Sequence, residues 1–178
     1  KYNNSNKKSI TANNIDIIAD IVIIDGGSVD GSLCKDFLSN NGVTGLLTKI
    51  GSGKLGAQLR IGYSFCLANN YQGVVTIDGN NKDNPNSIPS FIELLQNGYD
   101  FIQASRYLKG GKAYNTPILR NLAIRLLHAP LLSLSSGFHW TDTTQGYRGY
   151  SQKLLRDKNL SVFRSIFKNY ELLAYLSA

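Results

Sequence analysis

The sequence has no methionine, only two cysteines and one tryptophan. Cys34 and Cys66 show no metal-like spacing, which argues against a disulfide scaffold and a thiolate metal centre. Both fall in segments that read as helical, so they are expected to be reduced structural thiols. Long apolar runs are absent too: nothing approaches the roughly 20 residues of a membrane span. The longest apolar region, LAIRLLHAPLLSL, is broken by Arg125, His128 and Pro130. No segment reads as a signal peptide. Acidic residues are scarce, with 12 Asp and Glu against 19 Lys and Arg, a formal charge of +7. That imbalance suits anionic partners: nucleotides, phospholipid surfaces or nucleic acid. The missing methionine, the opening KYNNSNKKS and the helix-like close at YELLAYLSA suggest a piece of a longer polypeptide.

What is present reads as one domain. The 178 residues, 42% of them hydrophobic, can build a core. IVIID (Ile21 to Asp25) reads as a buried strand, and Ser28 or Asp30 can cap the helix after it. VTGLLTKI (Val43 to Ile50) is the next strand. Lys54 to Asn70 carries a helical stripe through Leu55, Leu59, Tyr63, Cys66 and Leu67. GVVTID (Gly73 to Asp78) and DFIQAS (Asp100 to Ser105) are two further strands, separated by the helix SIPSFIELLQNG. Pro89 lies in the first turn of that helix and Gly98 follows its end. A long helix is expected from about Thr116 to Leu134, and TDTTQGYRGYS reads as loop plus strand. Alternating strands and helices imply an α/β fold with a mainly parallel sheet and helices on both faces.

Unusual chemistry sits where these strands end. Asp25 ends the first, Asp78 the third and Ser105-Arg106 the fourth. In a parallel sheet such ends share one rim, where α/β folds bind ligands. Carboxylates there suit ribose or base donors, and an arginine suits phosphate. A competing fingerprint is GSGKLG (Gly51 to Gly56), which matches G-x-G-x-x-G between a strand and a helix. It supports an NAD(P)-binding oxidoreductase as an alternative. It is not a Walker A loop, because Leu55 stands where Ser or Thr should be. The dinucleotide reading leaves DGGSVDGS, ASRYLKGG and DTTQGYRGY without a role.

Those stretches resemble, in order, the motifs of family 2 glycosyltransferases. IVIIDGGSVDGS resembles a strand ending in DDGSTDGT, the first nucleotide-binding stretch. GKLGAQLRIGYSFCLANNYQGVVTIDGNNKDNP resembles the glycine-led helix and the strand carrying the metal-binding DxD acids. ASRYLKGG and DTTQGYRGYS are similar to GSRY-x-x-GG and D-x-x-SGFRAY of the dolichyl-phosphate mannosyltransferase-like branch. The resemblance runs from about Ile21 to Tyr150. It implies a Rossmann-like GT-A fold in one domain over 1–178, incomplete at both ends. KYNNS would be the remnant of a P-x-Y-N-E turn. It also implies transfer of a sugar from a UDP- or GDP-linked donor to a lipid-phosphate or glycan acceptor, with inversion.

Site roles follow from the same resemblance. Asp25, Gly27, Ser28, Asp30, Lys54, Asp78, Arg106 and Arg120 are the implied nucleotide-binding residues. Asp78, Asp142 and Arg106 are the implied catalytic residues, with Asp142 a base if the acceptor is a hydroxyl. Asp78 and Asn80 would hold Mg2+ or Mn2+, at least when nucleotide is bound. The implied setting is cytoplasmic, at the inner face of a membrane with peripheral contact, and without nucleic acid. NTPILRNLAIRLLHAPLLSLSSGF, apolar with spaced arginines, would lie on that membrane or form a core helix. The chain departs from the pattern at Gly26, which replaces a second acid. It departs again at Asn80 and at Lys82, which aligns with a glutamine ligand. Those changes keep a non-catalytic nucleotide-sugar-binding module open as a further alternative.

Overall fold

A computed structural model describes residues 8–12, 15–112 and 117–178. The KYNNS stretch lies outside the described residues. Two strands precede the first one expected from the sequence: β1 (Lys8–Ala12) and β2 (Ile15–Ala19), an antiparallel pair with Lys8 opposite Ala19. β3 (Ile21–Asp25) follows and pairs in parallel with β4 (Val43–Thr48), placing Asp25 opposite Thr48. The Lys49 N–H donates to the Asp25 carbonyl at 2.8 Å, so the pairing runs to the end of both strands.

α1 (Lys35–Asn40) lies between β3 and β4. Ser28 and Asp30 do not cap it. Cys34 precedes its first residue without a side-chain cap, and the side chains of Ser28 and Asp30 act inside the preceding loop. Cys34 is therefore outside the helix and exposed, whereas Cys66 is buried within α2 (Leu55–Ala68). α2 carries the apolar stripe read from the sequence and buries Ala57, Tyr63 and Cys66.

β5 (Gly73–Thr76), α3 (Ile88–Gln96) and β6 (Phe101–Gln103) follow. The helix expected from Thr116 starts, within the described residues, as α4 (Ile118–Ala123). It continues through a π-turn at Ile124–His128 into α5 (Ala129–Ser136), and Gly137 ends it with φ +67. β7 (Arg148–Ser151) then runs into α6 (Gln152–Arg156), where the Ser151 hydroxyl caps by accepting from the Leu154 N–H. α7 (Glu171–Tyr175) closes the chain. Among the described residues no helix is long and apolar enough to cross a membrane.

The mainly parallel sheet expected from the sequence needs correction. β7 lies between β5 and β6 and is antiparallel to both. The cause is its point of entry: Arg148 begins β7 opposite Gln103, where β6 ends, so the chain must run back. β5 and β6 consequently point the same way without bonding to each other. Helices do cover both faces of this sheet. A side chain at Gly149 would meet Phe91 of α3, while Tyr150, pointing the other way, packs edge-on against Tyr63 of α2 at 5.3 Å. Tyr63, Tyr150, Leu155, Val162, Phe167 and Leu172 form the buried core. An α/β architecture is thus present. β5 and β6 stop short of Asp78 and Arg106, which sit in the loops just beyond them.

Candidate functional site

Asp25 is 6% exposed and folds its own turn. Its carboxylate accepts from the Gly27 N–H at 2.6 Å, from the Ser28 N–H, and from the Ser28 hydroxyl at 2.7 Å. The Ser28 hydroxyl bond leads in holding its pKa below the usual carboxylate value; lost hydration opposes it and the loop N–H groups assist. Gly27 takes φ +106, which a side chain would resist. Asp30 is an exposed second turn-former, accepting from the Ser32 hydroxyl at 2.6 Å. A side chain at Gly26 would press on the end of the Gln58 side chain. A Cβ there would stand 3.2 Å from the Gln58 amide nitrogen, which donates to the Ile24 carbonyl at 2.9 Å.

Asp78 opens the acid loop that leads to Asn84. Its carboxylate accepts no hydrogen bond from the described residues and lies against Gly146, where a Cβ would come within 3.3 Å. Asp78 is exposed overall, but partial loss of hydration at its carboxylate, then the nearby Asp83, push its pKa up, while Lys82 pulls it down. Asn80 turns inward instead: its side-chain oxygen accepts from the Lys82 N–H at 3.1 Å. Asp83, which the sequence reading passed over, is held by Gln145, whose amide donates to it at 2.8 Å. Its charge also helps raise Tyr147, pushed up to about 12 chiefly by burial. Two neighbouring carboxylates suit a hard divalent cation, provided that phosphate oxygens complete its shell and offset the charge of nearby Lys82. Among the described residues no three His, Cys, Asp or Glu side chains gather to hold a metal by themselves.

Arg106 and Asp142 form a two-pronged ion pair. Arg106 Nε donates to one Asp142 oxygen at 2.7 Å and Nη2 to the other at 2.9 Å. Nη2 also donates to the Thr144 hydroxyl at 2.6 Å, and the Thr144 N–H donates to Asp142. Burial works to raise the Asp142 pKa, but the Arg106 bonds outweigh it and the carboxyl sits below its usual range. A carboxylate so saturated is poorly placed to accept a substrate proton, so the arrangement disfavours Asp142 as a base. Arg106 and Arg125 both lie over the Tyr107 ring, at 5.6 and 5.8 Å. Arg120 is exposed on α4 and Lys54 is exposed before α2.

The glycine turn at Gly51 to Gly56 is filled by protein. The Lys168 carbonyl accepts from the Lys54 N–H at 2.7 Å and from the Ala57 N–H at 3.4 Å. Gly56 touches the backbone of Phe167 and Asn169 so closely that a Cβ would lie 2.5 Å from the Asn169 oxygen. The N–H groups that a pyrophosphate would need at this helix start are therefore engaged. A recess of about 570 Å³ lies between Leu67, Leu155 and Phe163 and contains none of the expected site residues.

The structure thus brings Asp78, Asp83, Gln145, Arg106 and Asp142 to neighbouring loops, and leaves the Asp25 turn as a separate unit. No family model matches the chain. A polyprenol monophosphomannose synthase of Mycolicibacterium smegmatis is 27% identical over 149 residues, 82% of this chain and 56% of that protein. An undecaprenyl-phosphate mannosyltransferase of Micrococcus luteus is 26% identical over 149 residues, 83% of this chain and 60% of that protein. A dolichyl-phosphate hexose transferase of Haloferax volcanii is 37% identical over 84 residues, 47% of this chain and 36% of that protein. The chain therefore spans 56–60% of the length of the first two relatives. The proteins that the chain is similar to are thus lipid-phosphate mannosyl- and hexosyltransferases.

Proposed function

We propose that the protein transfers a hexose from a UDP- or GDP-linked donor to a lipid-phosphate carrier, on a GT-A arrangement of its strands. The observation that carries this reading is the meeting of the acid loop with the QGY turn: Asp78 against Gly146 and Asp83 on Gln145. Motifs far apart in sequence meet there, as a donor site requires.

The chemistry is displacement at the anomeric carbon. An acceptor phosphate oxygen forms a bond to C1 from one face as the bond from C1 to the donor diphosphate breaks on the other, which inverts the centre. A lipid phosphate is already ionised at neutral pH, so no base is required and the engagement of Asp142 costs nothing. A divalent cation, when bound, supplies positive charge to the departing diphosphate. Asp78 and Asp83 would hold it. The Asp25 turn, held rigid by its own hydrogen bonds, would face the nucleoside. Arg106, fixed by Asp142, and Arg120 and Arg125 supply the cations for phosphate.

A membrane-surface acceptor is supported by the outward face that runs from α4 through the π-turn into α5. Leu126, Leu131 and Leu134 are 67%, 59% and 82% exposed there, while Ile124 and Ala129 face the protein. From Phe101 to Thr141 there is no Asp or Glu, but Arg106, Lys109, Lys112, Arg120 and Arg125 are present. An apolar face set among basic residues suits an anionic lipid surface.

The test is a thermal-shift screen of the full-length protein with UDP, GDP, their hexose conjugates and NAD, followed by transfer of labelled hexose to a polyprenyl phosphate. Stabilisation by a nucleotide-sugar and label in the lipid phase are expected. Stabilisation by NAD alone would overturn the reading. Nucleotide-sugar binding without transfer or hydrolysis would reduce the protein to a binding module.

A further inference from the structure

Three consecutive residues grip the acid loop. Gln145 donates to Asp83 at 2.8 Å, Gly146 closes on Asp78, and the Tyr147 hydroxyl donates to the Asn84 carbonyl at 3.3 Å. The Thr76 hydroxyl donates to the Gly146 carbonyl at 3.0 Å and ties this turn to the end of β5. Both carboxylates of the loop are thus held against adjacent residues, 145 and 146.

Asn80 takes no part in the grip. Its oxygen is committed to the Lys82 N–H, and an amide carries no charge to offer a cation. Asp83 has the chemistry that Asn80 lacks. Gln145 fixes Oδ1, and Oδ2 accepts no hydrogen bond from the described residues. Hydrogen bonds of this kind orient carboxylates for cations, and losing one typically lowers metal affinity by about 10–100-fold.

We infer that Gln145 is a positioning residue that holds Asp83 on the Asp78 side of the loop, so that Asp83 supplies the second carboxylate for the cation accompanying the donor diphosphate. The inference rests on the proposed nucleotide-sugar chemistry. It moves the cation site away from the Asp78–Asn80 pair and makes the substitution at Asn80 a relocation of charge.

The test is manganese titration of the full-length protein in saturating UDP and, separately, GDP, read by calorimetry, with nucleotide affinity measured first. Gln145→Ala should weaken manganese binding by about tenfold, and Asp83→Asn should weaken it at least as much. Adding Asn80→Asp to Asp83→Asn should restore much of the loss, which a purely structural role for Asp83 would not allow. Melting curves of each variant identify those that keep the fold. If a single variant unfolds, the rescued double variant decides. Unchanged manganese affinity in Asp83→Asn overturns the inference, as does a wild-type protein that binds nucleotide but no manganese. A wild-type protein that binds neither UDP nor GDP overturns the proposed function instead.

Discussion

Arg106 and Asp142 meet through two parallel hydrogen bonds of 2.7 and 2.9 Å, with the Asp142 side chain fully buried. The pair locks the loop after β6 to the loop before β7. Removing one partner leaves the other charge stranded, a loss of roughly 3 kcal/mol; Arg106 keeps 19% exposure and can recover some hydration. Asp142→Ala should therefore lower stability by about that amount in urea unfolding. The pH dependence has a definite sign. Asp142 titrates below its ordinary 3.8 in the folded protein, so its stabilisation is complete above that pH and fades as pH falls toward the lowered value. Wild type should lose stability below about pH 4 by more than Asp142→Asn does. An equal acid sensitivity in both would remove the pair from the stability account.

Gly56 and the Lys168 carbonyl define how the glycine turn is used. Gly56→Ala would drive a methyl into the Asn169 and Phe167 carbonyls, at 2.5 and 2.8 Å, where backbone cannot step aside as a side chain could. A loss of roughly 1–3 kcal/mol is expected. NAD should give no thermal shift in wild type, because the helix start is already bonded to Lys168. A clear NAD-induced shift would mean that the 167–169 segment leaves the turn.

The GSGKLG turn also shows what the sequence makes legible. The turn, the α2 stripe and the strand end at Asp25 are local patterns of period and glycine placement, and they read directly, whereas the third strand stops at Thr76, two residues short of Asp78. The occupant of the turn is residues 167–169, more than a hundred positions away, and no local pattern announces it. Likewise, ASRY and DTTQ each stand out in the sequence, but their pairing as Arg106 with Asp142 is a tertiary fact. Position matching points to Asn80 and Lys82, and the hydrogen bond from Gln145 to Asp83 is another tertiary fact that no local pattern announces. The direction of β7 was missed because a short strand carries no sign of its orientation in its residues.

Asp25 organises its own turn, and mutation can separate that from the nucleoside contact proposed for it. Its carboxylate organises the Gly27–Ser28 turn, so Asp25→Ala should lower the melting temperature as well as weaken nucleoside binding. Ser28→Ala removes the hydroxyl bond but leaves both backbone donors in place. It should lower nucleoside affinity less than Asp25→Ala does, and stability hardly at all. Calorimetry with uridine and guanosine, beside melting curves, reads both effects. Wild-type nucleoside affinity in Asp25→Ala would confine Asp25 to a structural role.

The outward face that runs from α4 through the π-turn into α5 makes the last prediction. A helix packed on a domain ordinarily turns polar residues to water, yet Ile118, Leu122, Leu126 and Leu131 are all more than half exposed. Burying a leucine fully is worth roughly 1.5–3 kcal/mol, and each basic residue near an anionic surface about 1 kcal/mol. Leu126→Ser with Leu131→Ser should therefore weaken sedimentation with phosphatidylglycerol vesicles by about tenfold for each leucine. Arg120→Ser with Arg125→Ser should weaken it less and flatten its dependence on salt. The leucine variants should retain wild-type affinity for nucleotide, because those side chains lie away from the acid loop and the Asp25 turn. If the leucine variants bind vesicles as wild type does, the face belongs to another protein surface, and a shift from dimer to monomer in the same variants would identify a second copy of the chain as its cover.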